Sequence, residues 1–247
     1  LLLFGASMLF WGPLSDKYGR KPVLYTGALL YVVSSLFLAL AQSIWPLLFW
    51  RAVQAIGSGG ISAMALAIVK DVLRGRAMEK VITWIQTITI LAPMLAPVIG
   101  GALLAVTDWR GIFACLLLCG LLAGAGTLLL RETMTHPVQG NAFRTLGRLL
   151  VVLRHRGFRC LLLLFSATSM PFMAYLALSS YIFQGLFGLS PQAYSLFFAF
   201  NAGMSMLGPL AHERFFRTAP RRLFFSAYLG IVVVAGLGLL LLSLIHI

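Results

Sequence analysis

The chain has 247 residues, of which 60% are hydrophobic and only 10% are charged, with 19 Lys and Arg against 6 Asp and Glu. Soluble globular domains carry about 25% charged residues, so this composition excludes an ordinary soluble domain. The net charge of +13 would suit nucleic-acid binding if the basic residues were gathered on one folded surface. They lie between apolar runs instead, which disfavours nucleic acid as a partner.

Eight apolar runs are candidates for membrane spans. The hydrocarbon core is about 30 Å thick, and an α-helix rising about 1.5 Å per residue crosses it in roughly 20 residues. We therefore predict an all-α polytopic membrane protein embedded in a lipid bilayer. In chain order the runs lie near Leu1–Pro13, Val23–Gln42, Pro46–Val69, Val81–Val106, Gly111–Leu130, Cys160–Phe183, Pro191–Ala211 and Leu223–Ile247.

The gaps between these runs alternate in charge. Seventeen of the 19 Lys and Arg residues lie in the first, third, fifth and seventh gaps, and the other gaps are almost bare of positive charge. Because basic loops are retained on the cytoplasmic side, this alternation predicts that the odd-numbered gaps face the cytoplasm. It also places both chain ends outside the cytoplasm. Since the chain opens inside a span at Leu1, we expect a piece of a longer protein, with at least one helix before it and several after it.

The longest polar gap divides the spans into two groups. We predict an N-terminal helical bundle over residues 1–130, a cytoplasmic linker over 131–159 and the start of a second bundle over 160–247. The sequence Gly-Pro-Leu ends the first span at residues 12–14 and recurs 196 residues further on, at the end of the seventh span. Two related halves are a recurring plan of transporters.

The first basic gap holds a compact motif. It reads Gly12-Pro-Leu-Ser-Asp16-Lys-Tyr-Gly19-Arg20-Lys21-Pro22. Gly12 and Gly19 allow the close approach and the positive φ of a tight turn, and Pro22 suits the first turn of the next helix. Asp16 can accept from Arg20 or hold a neighbouring helix. On chemistry alone, an ordinary tight turn with basic anchors explains these residues equally well.

This segment resembles the loop signature G-x-L-x-D-x-x-G-R-K of the major facilitator superfamily. In that family the loop joins helices two and three, so the resemblance implies a fragment of the major facilitator fold, with eight spans corresponding to helices 2–9 of twelve. It also implies that the loop latches the two halves of the carrier in one state of alternating access. The latch residues would be Gly12, Asp16, Gly19, Arg20 and Lys21.

Arg51 is a charged residue inside the third span. Arg51 and Gln54 share one helical face, with glycines beyond them that let another helix come close. A charge at the centre of a span costs about 2.5 to 3.5 kcal/mol on insertion scales, which indicates a functional site. The alternative is that Arg51, near the outer end of its helix, reaches the interface. The run is similar to the family's R-x-x-Q-G motif, with Ala55-Ile56 before the glycine, and this resemblance implies a part in proton coupling.

The fourth span contains two prolines four residues apart, Pro93 and Pro97, followed by Gly100 and Gly101. Each proline removes a backbone donor, so we expect a bend; a simple packing kink is the alternative. The run is similar to the antiporter signature of drug-exporting members of the superfamily, although Ala96 replaces the usual glycine. Together with Asp108-Trp109-Arg110 and Arg131-Glu132-Thr133, it most resembles the bicyclomycin and chloramphenicol resistance (Bcr/CflA) branch.

Polar and aromatic residues of other spans are candidates for a substrate cavity. We single out Gln86, Met170, Tyr175 and Asn201, because an amide facing lipid is costly whereas one facing a cavity is not. Packing or lipid contact is the alternative for each. All six acidic residues fall in gaps or at helix ends, so a titrating carboxylate for proton coupling is not found within these spans.

The sequence predicts a monomeric multidrug efflux antiporter of the bacterial inner membrane, with small amphipathic drugs and protons as partners. No nucleophile, base and orienting group can be assembled, so we expect no enzyme activity. There is no nucleotide-binding G-x-x-x-x-G-K-[ST] loop and the cysteines have no ligand partners, so no cofactor or metal is expected. A major facilitator carrier of a metabolite and a non-transporting membrane scaffold remain as alternatives.

Overall fold

The computed structural model describes residues 1–134, 147, 151, 153–215, 226, 230, 233 and 234. Over these residues all regular structure is helical. The helices are α1 (Leu2–Tyr18), α2 (Arg20–Ala39), α3 (Ile44–Val72), α4 (Gly75–Val106), α5 (Trp109–Leu129), α6 (Arg156–Ser180), a π-helical segment (Tyr181–Leu186) and α7 (Pro191–Phe215). The chain divides into two units, Leu1–Phe198 and from Ala199 onward, and every contact described below lies within the first.

Four of the described helical segments are long and apolar enough to cross a membrane: α2, α3, α5, and α6 continued through the π-helical segment. Helix α4 is a fifth if its two arms, Gly75–Pro93 and Leu95–Val106, form one bent span. These helices confirm the predicted all-α membrane fold. Most of the predicted span at Leu223–Ile247 and most of the predicted linker at 131–159 lie outside the described residues.

Several helices extend further than the apolar runs. Helix α1 continues through Gly12 and Pro13 to Tyr18, so the prediction that the helix stops at Gly12-Pro13 is wrong. A proline inside a helix removes one hydrogen bond, and a long helix tolerates that loss. Helices α3 and α4 likewise extend into the third gap, because charged residues at the end of a membrane helix can stay helical while reaching water.

Small residues bring α1, α2, α3 and α5 close together. Gly27 of α2 and Gly57 of α3 face each other so closely that a Cβ on Gly57 would lie 2.7 Å from the Gly27 carbonyl oxygen. One turn further along α3, Gly60 packs against Trp11 of α1, whose indole Nε1 donates to the Ile56 carbonyl at 2.9 Å. Close backbone approach of this kind is how membrane helices gain packing energy, because lipid is as apolar as their side chains.

Polar contacts tie the helix ends into two opposite groups. At one end, Arg20 at the start of α2 pairs with Asp71 at the end of α3, and Glu132 beyond α5 accepts from the Arg20 backbone. At the other end, Arg110 Nη2 at the start of α5 donates to the carbonyl of Ala41, just after α2. The first, third and fifth gaps therefore meet at one end, as the charge alternation predicts. That this end is cytoplasmic stays a prediction.

Candidate functional site

One guanidinium joins the ends of three helices. Arg20 is the first residue of α2; its Nε donates to Asp71 Oδ2 at 2.8 Å, and its Nη1 donates to Asp16 Oδ1 at 2.7 Å. Nη1 also donates to the hydroxyl of the fully buried Ser15. Asp16 lies at the end of α1 and Asp71 at the end of α3. We call this group, with Gly19, Lys21 and Glu132, the helix-end junction.

Each charge of the Arg20 bridge opposes the dipole of its own helix. A helix carries partial positive charge at its N-terminus and partial negative charge at its C-terminus. Arg20 is a cation at an N-terminus, whereas Asp16 and Asp71 are anions at C-termini. The side chains of Arg20 and Asp71 are only 14% and 25% exposed, so their attraction is less screened than that of surface pairs. The three charges are therefore stabilised by one another rather than by their helices.

Gly19 is the whole of the turn between α1 and α2. Its φ of +101° lies in the region that L-residues with side chains rarely adopt. A Cβ at this position would also lie 2.6 Å from Glu132 Oε2. The prediction that Gly12 provides a positive φ and a close approach in this turn is wrong. Gly12 lies within α1, does not have positive φ and has no atom close to the position of an added Cβ.

Glu132 joins the segment after α5 to the start of α2. Its Oε1 accepts from the Arg20 N–H and its Oε2 from the Lys21 N–H, both at 3.0 Å. Oε1 also accepts from the N–H groups of Thr133 and Met134. Partial burial acts to raise the pKa of Glu132, but the four N–H donors outweigh it and hold the pKa below its ordinary value of 4.5. Sequence reasoning used Glu132 only as part of a family signature and missed these contacts.

The second polar site surrounds Arg51. Arg51 Nη1 donates to Gln54 Oε1 at 2.9 Å, and Gln54 Nε2 donates to Ser35 Oγ of α2 at 2.8 Å. The Arg51 guanidinium carbon lies 4.9 Å from the centre of the Phe113 ring of α5. Arg51 and Gln54 share a helical face, as predicted, whereas Ser35 and Phe113 were missed because nothing in the sequence pairs them with α3. Ser35, Arg51, Gln54 and Phe113 form what we call the Arg51 site.

A cavity of about 470 Å³ opens beside the Arg51 site. Arg51, Gln54 and Ser58 contribute polar groups to it, and Leu1, Phe4 and Leu116 contribute apolar surface. Small-molecule sites in proteins have volumes of about 300 to 1,000 Å³ and combine apolar walls with a few polar groups. The cavity therefore has the size and lining of a site for a small amphipathic molecule.

Helix α4 bends by 46° between Pro93 and Leu95, next to the first of its two prolines, so the predicted bend is present. On the second arm, the hydroxyl of Ser195 from α7 donates to the Pro97 carbonyl at 2.7 Å. A Cβ on Gly101 would overlap the Ser195 side chain, whereas a Cβ on Gly100 would enter open space. The two adjacent glycines thus have different surroundings, and only Gly101 is required by a contact.

The four candidate cavity residues do not line the Arg51 cavity. Gln86 is exposed on α4, and Met170 is 73% exposed on α6. Tyr175 stacks on Phe198 with ring centres 5.5 Å apart. Asn201 is exposed on α7, in the second unit. The assignment of these four residues to a substrate cavity stays a prediction.

Apolar spans, a proline-bent helix and a cavity between helices are typical of a multi-pass membrane protein of the transporter class. The family model described as Major Facilitator Superfamily matches residues 1–247. The chain belongs to this family.

Curated relatives support the same assignment. The chain is 31% identical to an uncharacterized MFS-type transporter, YdgK, of Bacillus subtilis (strain 168), over 96% of this chain and 60% of that protein. It is 37% identical to the multidrug resistance protein MdtL of Klebsiella pneumoniae (strain 342), over 53% of this chain and 34% of that protein. It is 30% identical to multidrug resistance protein D of Escherichia coli (strain K12), over 80% of this chain and 50% of that protein. The chain thus spans 60% or less of the length of each.

Proposed function

We propose that this chain forms part of a secondary active multidrug efflux transporter in the bacterial inner membrane. The whole transporter exports small amphipathic drugs in exchange for protons by alternating access, and it acts as a monomer. In this proposal residues 1–130 belong to the N-terminal bundle, 131–159 to a cytoplasmic linker and 160–247 to the start of the second bundle.

The observation that carries the proposal is the helix-end junction. One guanidinium holds three helix ends whose charges are otherwise opposed by their own helix dipoles. Movement of α3 would separate Asp71 from Arg20, whereas Arg20 and Asp16 are only four residues apart and can stay paired. We infer that the Arg20–Asp71 contact is made in one state of the transporter and broken in the other, as alternating access requires. The latch role of Gly12, Asp16, Gly19, Arg20 and Lys21 is proposed by family resemblance. The junction supports it by fixing the loop between α1 and α2 in one conformation.

Drugs are the proposed substrates for two reasons. Two of the relatives are named multidrug resistance proteins. The cavity beside Arg51 combines apolar and polar surface, which is compatible with an amphipathic molecule. The Bcr/CflA assignment is supported by the two prolines and two glycines of α4, by the bend beside Pro93 and by the sequence Arg131-Glu132-Thr133.

We propose, by family resemblance, that Arg51 takes part in coupling drug export to proton exchange. The partners of the Arg51 guanidinium in the described structure, the Gln54 amide and the Phe113 ring, are neutral. Its positive charge is therefore available to a carboxylate or anion that enters the cavity and changes protonation during the cycle. Gln54 keeps the guanidinium in place for that encounter.

The test uses the full-length parent protein in a bacterial strain lacking its own drug pumps. Expression should raise resistance to chloramphenicol, and in everted membrane vesicles addition of chloramphenicol should release part of an imposed proton gradient, measured with a pH-sensitive dye. The variants Asp16→Asn and Arg51→Ala should abolish both effects at unchanged membrane levels.

Arg76→Ala is the matched control, because Arg76 is an exposed arginine at the start of α4, outside both sites. It should behave as the parent. Unchanged resistance in both site variants would remove the site assignments. Concentrative uptake of a metabolite driven by an inward proton gradient, without drug export, would replace drug efflux by the metabolite-carrier alternative.

A further inference from the structure

We propose that Glu132 is a positioning residue of the helix-end junction. Its carboxylate caps the N-terminus of α2 from a distant part of the sequence, and so fixes the backbone from which Arg20 reaches Asp16 and Asp71. The expected effect of Glu132 on drug export rests on the proposed function. Its role in capping α2 does not depend on that function.

The first argument is the need for a cap. The first N–H groups of any α-helix have no partner within the helix and are usually satisfied by the side chain of the residue just before it. In α2 that residue is Gly19, which has no side chain. Glu132 replaces it, because its two oxygens accept separately from the N–H groups of Arg20 and Lys21. A charged acceptor makes these bonds stronger than neutral ones.

The second argument is that the cap is reciprocal. Lys21 Nζ donates at 3.2 Å to the carbonyl of Leu128, in the last turn of α5. Helix α5 thus receives a cation at its C-terminus, and α2 receives an anion at its N-terminus. Both arrangements are favoured by the helix dipoles, unlike those of Arg20, Asp16 and Asp71. The start of α2 and the end of α5 therefore stabilise each other at the point where the Arg20 bridge is attached.

The third argument is the space at Gly19. The Glu132 carboxylate occupies the volume that a side chain at position 19 would need. Gly19 therefore meets two requirements at once, the positive φ of the turn and the approach of Glu132. Because position 19 has no side chain, it cannot cap α2, and the space that this leaves is where the Glu132 carboxylate caps the helix instead.

The fourth argument is preorganisation. Glu132 Oε1 also accepts from the N–H groups of Thr133 at 2.9 Å and Met134 at 3.0 Å. The carboxylate is thus held by its own following backbone before it meets α2. Because this backbone begins the segment after α5, the turn at Gly19 and the exit from α5 are tied together. Movement of either one uncaps the two N–H groups of α2.

Hydrogen exchange of the full-length parent protein tests this geometry directly. In the wild type the Arg20 and Lys21 amides should be protected, although they lie in the first turn of a helix, where amides normally exchange fast. Glu132→Ala should speed exchange at both amides at least severalfold. Glu132→Gln, which keeps one acceptor oxygen, should release one of the two amides.

Glu79→Ala is the matched control, because Glu79 is an exposed glutamate at the same predicted face, on α4. It should leave the Arg20 and Lys21 amides protected. Unchanged exchange at these amides in Glu132→Ala would overturn the proposal. Equal acceleration throughout the interior of α2 would also overturn it, because that would show general loss of stability rather than loss of a cap.

Drug export gives the second readout. If Glu132 acts through the Arg20 bridge, the losses of export in Glu132→Gln and Asp71→Asn should be less than additive in the double variant, since both damage the same contact. Strictly additive losses would overturn the positioning role. If the parent exports no drug at all, the proposed function fails, whereas the exchange measurement still decides the role of Glu132.

Discussion

Two arginines of this chain are held in opposite ways. Arg20, at a helix end, bridges two carboxylates and rests on a backbone that a third carboxylate holds. Arg51, inside a span, is held by an amide and an aromatic ring. The difference follows from position. At a helix end the carboxylates remain partly hydrated, whereas an isolated carboxylate within the bilayer is costly.

The comparison separates two tasks that one residue type can perform. Arg20 is neutralised, so its contribution is mechanical: it holds three helix ends together until they separate. Arg51 has no carboxylate partner among the described residues and lies beside a cavity, so we expect its contribution to be electrostatic. We therefore expect changes at the helix-end junction to alter stability and conformational state, and changes at the Arg51 site to alter coupling and binding.

The largest effect on stability among the charged and polar residues is expected from Arg20→Ala. This change leaves Asp16 and Asp71 at two helix C-termini without their shared cation. We expect a loss of about 2 kcal/mol, between the ~1 kcal/mol of exposed pairs and the ~3–5 kcal/mol of broken buried pairs. Unfolding of the purified parent protein in an SDS titration measures it. Arg20→Lys should recover only part, because a lysine cannot span both carboxylates in the fixed geometry of a guanidinium.

Lys17→Ala is the control for Arg20→Ala. Lys17 lies in the last turn of α1, next to Asp16, and contacts the Tyr18 ring rather than a carboxylate. It should change the unfolding free energy little. Equal losses in Lys17→Ala and Arg20→Ala would show that general basic charge, rather than the bridge, stabilises this end of the molecule.

The Arg51 site is tested by Gln54→Leu. Gln54 is 4% exposed, and the change leaves Arg51 without an acceptor and Ser35 without a donor at similar side-chain volume. We expect a loss of about 1–2 kcal/mol in the SDS titration, together with loss of drug-linked proton release. Ser58→Ala is the control, since Ser58 lines the same cavity but its hydroxyl donates only to backbone carbonyls of α3. An effect of Ser58→Ala as large as that of Gln54→Leu would contradict the role of the amide.

A third contact, without any charge, sharpens the comparison. Gly101→Ala places a methyl group against Ser195, and we expect it to cost about 1–3 kcal/mol by overpacking. Gly100→Ala enters open space, so it should be neutral or stabilise α4 by up to about 1 kcal/mol. Ser195→Ala should relieve part of the Gly101→Ala loss. If the two glycine variants behave alike in the SDS titration, the α4–α7 contact does not constrain this position.

The sequence predicts the fold well because the membrane imposes a simple rule on helix length and loop charge. The apolar runs correctly predicted α2, α3 and α5. The alternation of charge correctly predicted that the first, third and fifth gaps meet at one end. Helix ends were less predictable. Pro13 and Gly12 indicated a stop in α1, but the helix continues to Tyr18, since packing against α3 outweighs one lost hydrogen bond.

The sites were predictable only where their residues are close in sequence. Arg51 and Gln54 are three residues apart, so helical spacing pairs them. Glu132 and Arg20 are 112 positions apart, and Ser35 and Gln54 lie on different helices; no local pattern reports such contacts. The difference between Gly100 and Gly101 is likewise fixed by α7, which approaches only one of them.

The smallest expected effect is a difference in pH dependence between the two sites. The pKa of Glu132 lies below 4.5 in the folded protein. Its contribution to stability is therefore complete above about pH 4.5 and is lost as the pH falls through the lower, folded value. The Arg51 site, as described, contains no acid that titrates in this range.

Asp16 and Asp71 remain in Glu132→Gln, so the difference in stability between wild type and this variant isolates Glu132. In SDS titrations at falling pH, wild type should approach the variant below pH 4.5, because protonation makes the same change as the substitution. If the gap between the two proteins stays constant down to the lowest pH at which both fold, the ionised carboxylate of Glu132 does not stabilise the helix-end junction, and the cap on α2 has no electrostatic part.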